Sequence, residues 1–246
     1  MAELAPNSVL PALRRDIEFR ASDGTKLVGE LAVPESNRPV ATLLCLHPLP
    51  THGGFMDSHV FRKASWRLPG LADIAVLRFN FRGVESPRGK SEGEFSGGAG
   101  EGLDAIAALD FLVAEGFDNI FALGWSFGTD VTIRYLNRDP IKAGILLSPP
   151  LRWTTDEDLL TWNETGRKLY AIVPELDDFL PPNLATERFK VATTSEVRVI
   201  EGAKHLWVGE AFVRKALNEV VAIVAPEKSP LPTEWNGNMT KWDDLK

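Results

Sequence analysis

The chain has 246 residues, 44% of them hydrophobic and 25% charged, ordinary proportions for a globular protein with a full core. A formal net charge of -7 argues against nucleic acid or an anionic membrane surface as partner, and the single cysteine, Cys45, excludes an internal disulfide or a multi-cysteine metal site. No stretch reaches the ~18 apolar residues of a membrane span, and the first residues lack the apolar core of a signal peptide, so a cytoplasmic protein without membrane insertion is expected.

Residues 1–13 read as a loosely held arm. Residues 15–21 and 26–33 form two strands around the turn Ser22-Asp23-Gly24. The continuous apolar run 41–46 suits a strand buried on both faces, and places Cys45 in the core. The segment that follows, His47-Pro48-Leu49-Pro50-Thr51-His52-Gly53-Gly54, has prolines that forbid a helix. A helix is expected over 58–68 and a strand over 75–79, then a surface loop from Glu85 to Gly102. The loop contains Gly98, Gly100 and Gly102, but it follows no strand and lacks dinucleotide spacing, so it reads as loop chemistry before a helix. That helix places Ile106, Leu109, Leu112 and Val113 on one face.

A buried strand over 120–123 then leads into Gly124-Trp125-Ser126-Phe127-Gly128 and a helix through Leu136. Further strands are expected over 143–147, 169–173 and 197–200, with a helix between 182 and 191. The insert 151–166 is too short for a helical lid, although its tryptophans are candidates to roof a pocket. A long helix carries the stripe Val213, Ala216, Leu217, Val220, Val221 and Val224. The Pro-rich tail, 226–246, is either a linker-like end or a strap packed back on the protein. Alternating strands and helices predict one α/β domain over 1–246, with a doubly wound, mostly parallel eight-stranded sheet and no large cap.

In such a sheet, chemistry sits beyond the carboxyl ends of the strands. Ser126 lies between two glycines on a sharp strand-to-helix turn, which projects its hydroxyl above the sheet edge. Asp177 or Asp178 follows a later strand, with Glu175 as a third candidate, and His205 follows the last strand. A serine hydroxyl needs an imidazole to take its proton during attack, and the imidazole needs a carboxylate to hold its tautomer. In the run Asp177-Asp178-Phe179-Leu180-Pro181, Asp177 suits the inward acid and Asp178 a solvated neighbour. A developing oxyanion needs fixed donors. The N–H of Phe127 at the helix start is one; Pro48 and Pro50 have none, which leaves Leu49 as the second. His47 is expected to brace that loop, and Arg82 to clamp neighbouring loop carbonyls. His52, Asp57 and His59 make a weak metal motif. Leu49, Phe127, Phe179 and Trp207 adjoin the site as an apolar acyl pocket.

These motifs together resemble the α/β-hydrolase superfamily. The resemblance is greatest to small bacterial predicted hydrolases related to dienelactone hydrolases and serine peptidase-type hydrolases. It rests on His47-Pro48-Leu49-Pro50, Gly53-Gly54, Met56-Asp57, the intact Leu-Arg-Phe-Asn-Phe-Arg-Gly from Leu77 to Gly83, Gly93-Glu94-Phe95, the Gly124–Gly128 turn, and the segments around Asp177 and His205. Leu49 stands where that group repeats a histidine, Thr129-Asp130 where a small or apolar pair is usual, and Glu85 where glycine is common. Asp130 and Glu85 bear on the polarity of the pocket mouth and favour cationic or neutral substrates over anionic ones. The resemblance implies hydrolysis of an ester, thioester or amide. The expected function is carboxylic-ester hydrolysis of a small-molecule substrate through an acyl-enzyme on Ser126, requiring neither cofactor nor metal. A thioesterase or peptidase with the same three groups, or a non-catalytic binding protein, are the alternatives.

Overall fold

The structure, a computed structural model, describes residues 2–35 and 38–242. Met1 of the expected arm, residues 36–37 of the loop before the third strand, and residues 243–246 of the tail lie outside the described residues. Eight strands build the central sheet: β1 Leu13–Arg20, β2 Lys26–Val33, β3 Ala41–Leu46, β4 Ile74–Phe79, β5 Ile120–Trp125, β6 Ile141–Leu147, β7 Lys168–Leu176 and β8 Ser195–Lys204. Their order across the sheet is β8-β7-β6-β5-β3-β4-β2-β1. All neighbours from β8 to β4 pair in parallel, whereas β2 is antiparallel to both β4 and β1. The chain leaves β3 in one direction for β4 and later returns on its other side as β5, so the topological switch point lies between β3 and β5.

Among the described residues six α-helices cover the sheet: α1 His59–Ala72, α2 Ala99–Ala114, α3 Phe127–Tyr135, α4 Asp156–Thr165, α5 Pro182–Phe189 and α6 Glu210–Val224. The strands show why both faces must be covered. Ala41, Leu43 and Cys45 of β3 pack in one apolar cluster with α1 and α6, while Leu44 and Leu46 join a second cluster with α2 and α3. The stripe expected on α6 is buried throughout.

Four expectations are corrected. Helix α1 continues past residue 68 to Ala72 and passes through Pro69. Proline has no N–H, so the Ser65 carbonyl loses its intrahelical donor; Arg14 of β1 replaces it through Nη2 at 3.1 Å. Helix α2 begins at Ala99, inside the expected loop, and buries Ala105, Ala108, Leu109 and Leu112 while Val113 stays 46% exposed. The alanines make the close-packed face, a signal that scoring large apolar residues misses. The insert contributes only α4, with no large cap, and Trp162 packs into the core instead of roofing a pocket, donating to the Ile133 carbonyl at 2.9 Å. The N-terminal arm is held: Ala2–Glu3 pairs with Glu234–Trp235, and Thr240 and Lys241 pair with Val9 and Ser8. The tail is therefore a strap, and Trp242 stacks on Trp66 of α1 at 5.2 Å.

Candidate active site

Strands β3 and β5 are paired with Leu46 beside Gly124, which sets the loop after β3 next to the turn after β5. The turn is tight enough to demand both glycines. A Cβ on Gly124 would lie 2.5 Å from the Gly128 carbonyl oxygen, and one on Gly128 only 1.9 Å from the Leu46 carbonyl oxygen. Between them Ser126 takes φ 52° and ψ -119°, a conformation that side-chain-bearing residues rarely adopt and that costs about 1–3 kcal/mol. Hydrogen bonds hold it there. Its N–H donates to Leu147 at 2.9 Å, and its carbonyl accepts the Thr129 N–H at 2.8 Å and the Thr129 hydroxyl at 2.6 Å.

The Ser126 Oγ lies 2.9 Å from His205 Nε2, and His205 Nδ1 lies 2.9 Å from Asp177 Oδ2. The three residues come from the ends of β5, β7 and β8. The second oxygen of Asp177 accepts the N–H groups of Phe179 at 2.8 Å and Leu180 at 3.1 Å. Burial opposes ionisation of Asp177, but the hydrogen bond to His205, its charge and these two amides outweigh that cost and hold the carboxyl below its ordinary range. Asp178 is exposed, and Glu175 accepts the Gly202 N–H, so neither reaches His205. The His205 carbonyl is anchored by Trp125 Nε1 at 3.2 Å and by the Ser148 hydroxyl at 3.0 Å. Sequence reasoning missed both anchors. The aromatic inside the glycine turn and the serine closing β6 were the available signals.

Phe127 is the first residue of α3, where an N–H has no intrahelical acceptor and the helix dipole favours negative charge. Leu49 precedes a short 3₁₀ turn, Pro50–His52, inside a segment expected to be non-helical, and its carbonyl accepts the His52 and Gly54 amides. His47 supports the base of this loop, as expected. Its Nε2 accepts the Phe81 N–H at 3.1 Å and its Nδ1 donates to the Pro48 carbonyl at 2.7 Å, the pattern of a neutral imidazole. Burial lowers its pKa to about 4. Farther along, Asn80 Oδ1 accepts the Met56 N–H at 2.9 Å, and Arg78 bonds Asp57 and the buried Glu30.

Other candidates go elsewhere. Arg82 clamps carboxylates, not carbonyls: it forks onto Asp104 and reaches Asp23. Asp57 serves Arg78, and His59 Nε2 contacts the Trp207 carbonyl at 3.2 Å, so with His52 they do not converge on a common point. Among the described residues no cluster of three or more His, Cys, Asp or Glu side chains is arranged to hold a metal ion. Trp207 is fully buried and belongs to the core, while Phe179 is 66% exposed at the rim. Asp130 is buried beneath the site, not at its mouth; burial raises its pKa, and Oδ1 accepts the Trp153 N–H and the Thr154 hydroxyl. That tie sets Trp153 against the Phe127 ring at 5.2 Å. Glu85 lines a groove of about 630 Å³ beside the Leu49 loop, whose wall includes Phe95, packed on Phe127 with ring centroids 5.5 Å apart.

No family model matches the chain. An uncharacterised protein of Rickettsia prowazekii (strain Madrid E) is 37% identical over 139 residues, 55% of this chain and 55% of that protein. The match thus spans about half the length of that curated relative. Among solved structures, an α/β serine hydrolase without lid from Xanthomonas campestris is similar, with TM-score 0.69 and 24% identity over 92% of this chain and 99% of that one. A Pyrococcus furiosus esterase aligns with TM-score 0.70 and 20% identity, covering 88% and 91% of the two chains. At these identities the likeness is one of architecture. The chain has the α/β-hydrolase fold. Among the described residues no helix is long and apolar enough to cross a membrane.

Proposed function

We propose that the protein is a serine hydrolase that cleaves a carboxylic ester through an acyl-enzyme on Ser126. The carrying observation is the unbroken line from Ser126 Oγ through the imidazole of His205 to Asp177, with 2.9 Å at each link. In this reading His205 Nε2 takes the Ser126 proton as Oγ attacks the carbonyl carbon. Asp177 keeps the proton on Nδ1 and stabilises the imidazolium. The Phe127 and Leu49 N–H groups receive the carbonyl oxygen as it becomes negative. When the tetrahedral intermediate collapses, His205 returns the proton to the leaving oxygen; a water then repeats the sequence and frees Ser126. The structural neighbours from Xanthomonas campestris and Pyrococcus furiosus, a serine hydrolase and an esterase, support this chemistry.

A fluorophosphonate probe tests the nucleophile. Stoichiometric labelling located at Ser126 by peptide mass spectrometry, and lost in His205→Ala, is expected. Hydrolysis of a panel of oxygen esters ahead of matched thioesters and amides is expected with it. A folded protein that takes no label and turns over no ester overturns the reading.

A further inference from the structure

Apolar side chains are unusually exposed around His205. Phe179, in van der Waals reach of the imidazole with ring centroids 4.4 Å apart, is 66% exposed. Leu206 and Val208 are 54% and 69% exposed, with the fully buried Trp207 between them. The chain builds this alternation at a cost, because Trp207 sits at φ 52°, in the left-handed region that a bulky residue rarely enters. Its N–H donates to Lys204 at 2.9 Å and its carbonyl meets His59 at 3.2 Å, so both sides of the turn are tied down. The result is an apolar strip of fixed shape, running from the His205 ring along the loop after β8.

The strip does not end on open surface. Val208 forms part of a cleft of about 400 Å³ whose far wall is Trp66 of α1 with Trp242 of the strap stacked on it. That volume lies in the range of small-molecule sites. The charges at its edge are occupied: Lys63 pairs with Glu210 at 2.6 Å, and the Arg62 guanidinium lies 5.1 Å over the Trp66 ring and 5.8 Å from that of Trp242. The C-terminal strap, which no part of the acyl-transfer scheme uses, supplies one wall of this cleft.

We infer that the strip and cleft are the leaving-group subsite, and that the substrate is an ester of an extended apolar alcohol. This rests on the proposed function and deepens it. His205 Nε2 must deliver its proton to the leaving oxygen, so the alcohol portion of the ester departs past the His205 ring. The surface beyond that ring is apolar, and exposed apolar area of this kind, rigidly held, marks a binding surface. An alcohol chain laid along Phe179, Leu206 and Val208 removes apolar surface from water on both partners and ends between Val208, Trp66 and Trp242. Half-burial of each methylene on an open strip corresponds to about a twofold gain in kcat/KM, against about fourfold for full burial.

Two series of esters test this on the full-length protein: acetates of methanol, butanol and octanol, and methyl esters of acetic, butyric and octanoic acids. In the alcohol series kcat/KM is expected to rise about 100-fold from methyl to octyl. Val208→Ser and Trp242→Ala are expected to cut that octyl-to-methyl ratio at least about tenfold and to leave the ratio of the acyl series as in wild type. An alcohol ratio unchanged by both variants, or both series flattened alike, overturns the assignment. Calorimetric titration with 1-hexanol reads the same surface without turnover; binding weakened in both variants supports it, and no binding to wild type, or equal binding by all three, overturns it. Absence of Ser126 labelling together with retained hexanol binding would sink the hydrolase reading and keep the apolar subsite.

Discussion

At the scale of single residues, the environment of each carboxylate and imidazole decides its role. Asp177 and Asp178 are adjacent and chemically identical, yet the first is 5% exposed with three hydrogen bonds and the second faces solvent. Asp177→Asn should therefore lower kcat by about 10⁴-fold, because an amide cannot both hold the Nδ1–H tautomer and stabilise an imidazolium. Asp178→Asn should stay within a few-fold of wild type, and steady-state kinetics on any accepted ester separates the two. His47 makes a prediction about stability. In the native protein it remains neutral down to about pH 4, whereas in the unfolded chain it takes a proton near pH 6.5. Between those values the unfolded state binds the extra proton, so stability falls as the pH drops through this window, by on the order of 3 kcal/mol. Urea denaturation at intervals from pH 7 to pH 4 should show that decline, and His47→Gln, which has no proton to gain there, should flatten its slope.

At the scale of elements, the glycine turn couples two strands and a helix. Gly128 lets α3 approach the end of β3 so closely that its backbone nearly touches the Leu46 carbonyl. Gly128→Ala must push α3 away from β3, displacing the Phe127 amide and the His47–Leu49 loop together. A loss of about 3 kcal/mol of stability is expected, with kcat reduced more than KM is raised. A chemical melt within 0.5 kcal/mol of wild type, at about the resolution of such measurements, would contradict that packing. Helix α1 makes a related point. Its passage through Pro69 looks like a break in the sequence, and is tolerated because Arg14, 51 residues from Ser65, donates to the carbonyl that Pro69 leaves free. Local rules end that helix early; a distant guanidinium lets it continue.

At the scale of the whole molecule, the two ends of the chain close over one face. The short pairings of Ala2–Glu3 with Glu234–Trp235 and of Val9 with Thr240 fasten the strap, and Trp242 covers Trp66. Deleting residues 232–246 exposes that tryptophan and unpairs the arm. A melting temperature lower by about 5 °C is expected in differential scanning calorimetry, and an unchanged one would mean the strap adds nothing to stability.

The sequence by itself determined the alternation of strands and helices and the segments that carry Ser126, Asp177 and His205, because hydrophobic period, glycine spacing and proline placement act over a few residues. It also singled out Asp177 over its neighbour as the carboxylate that meets His205. What only the tertiary structure decided are matters of who meets whom across long stretches of chain. Arg82 turns to Asp104 and Asp23 instead of loop carbonyls, Asp130 goes beneath the site instead of its mouth, and the arm is clasped instead of loose. Trp207, an apolar residue beside His205 in sequence, is turned into the core while Leu206 and Val208 remain outside. Each of these outcomes depends on burial and on partners tens to hundreds of residues away, and a local pattern carries no information about either.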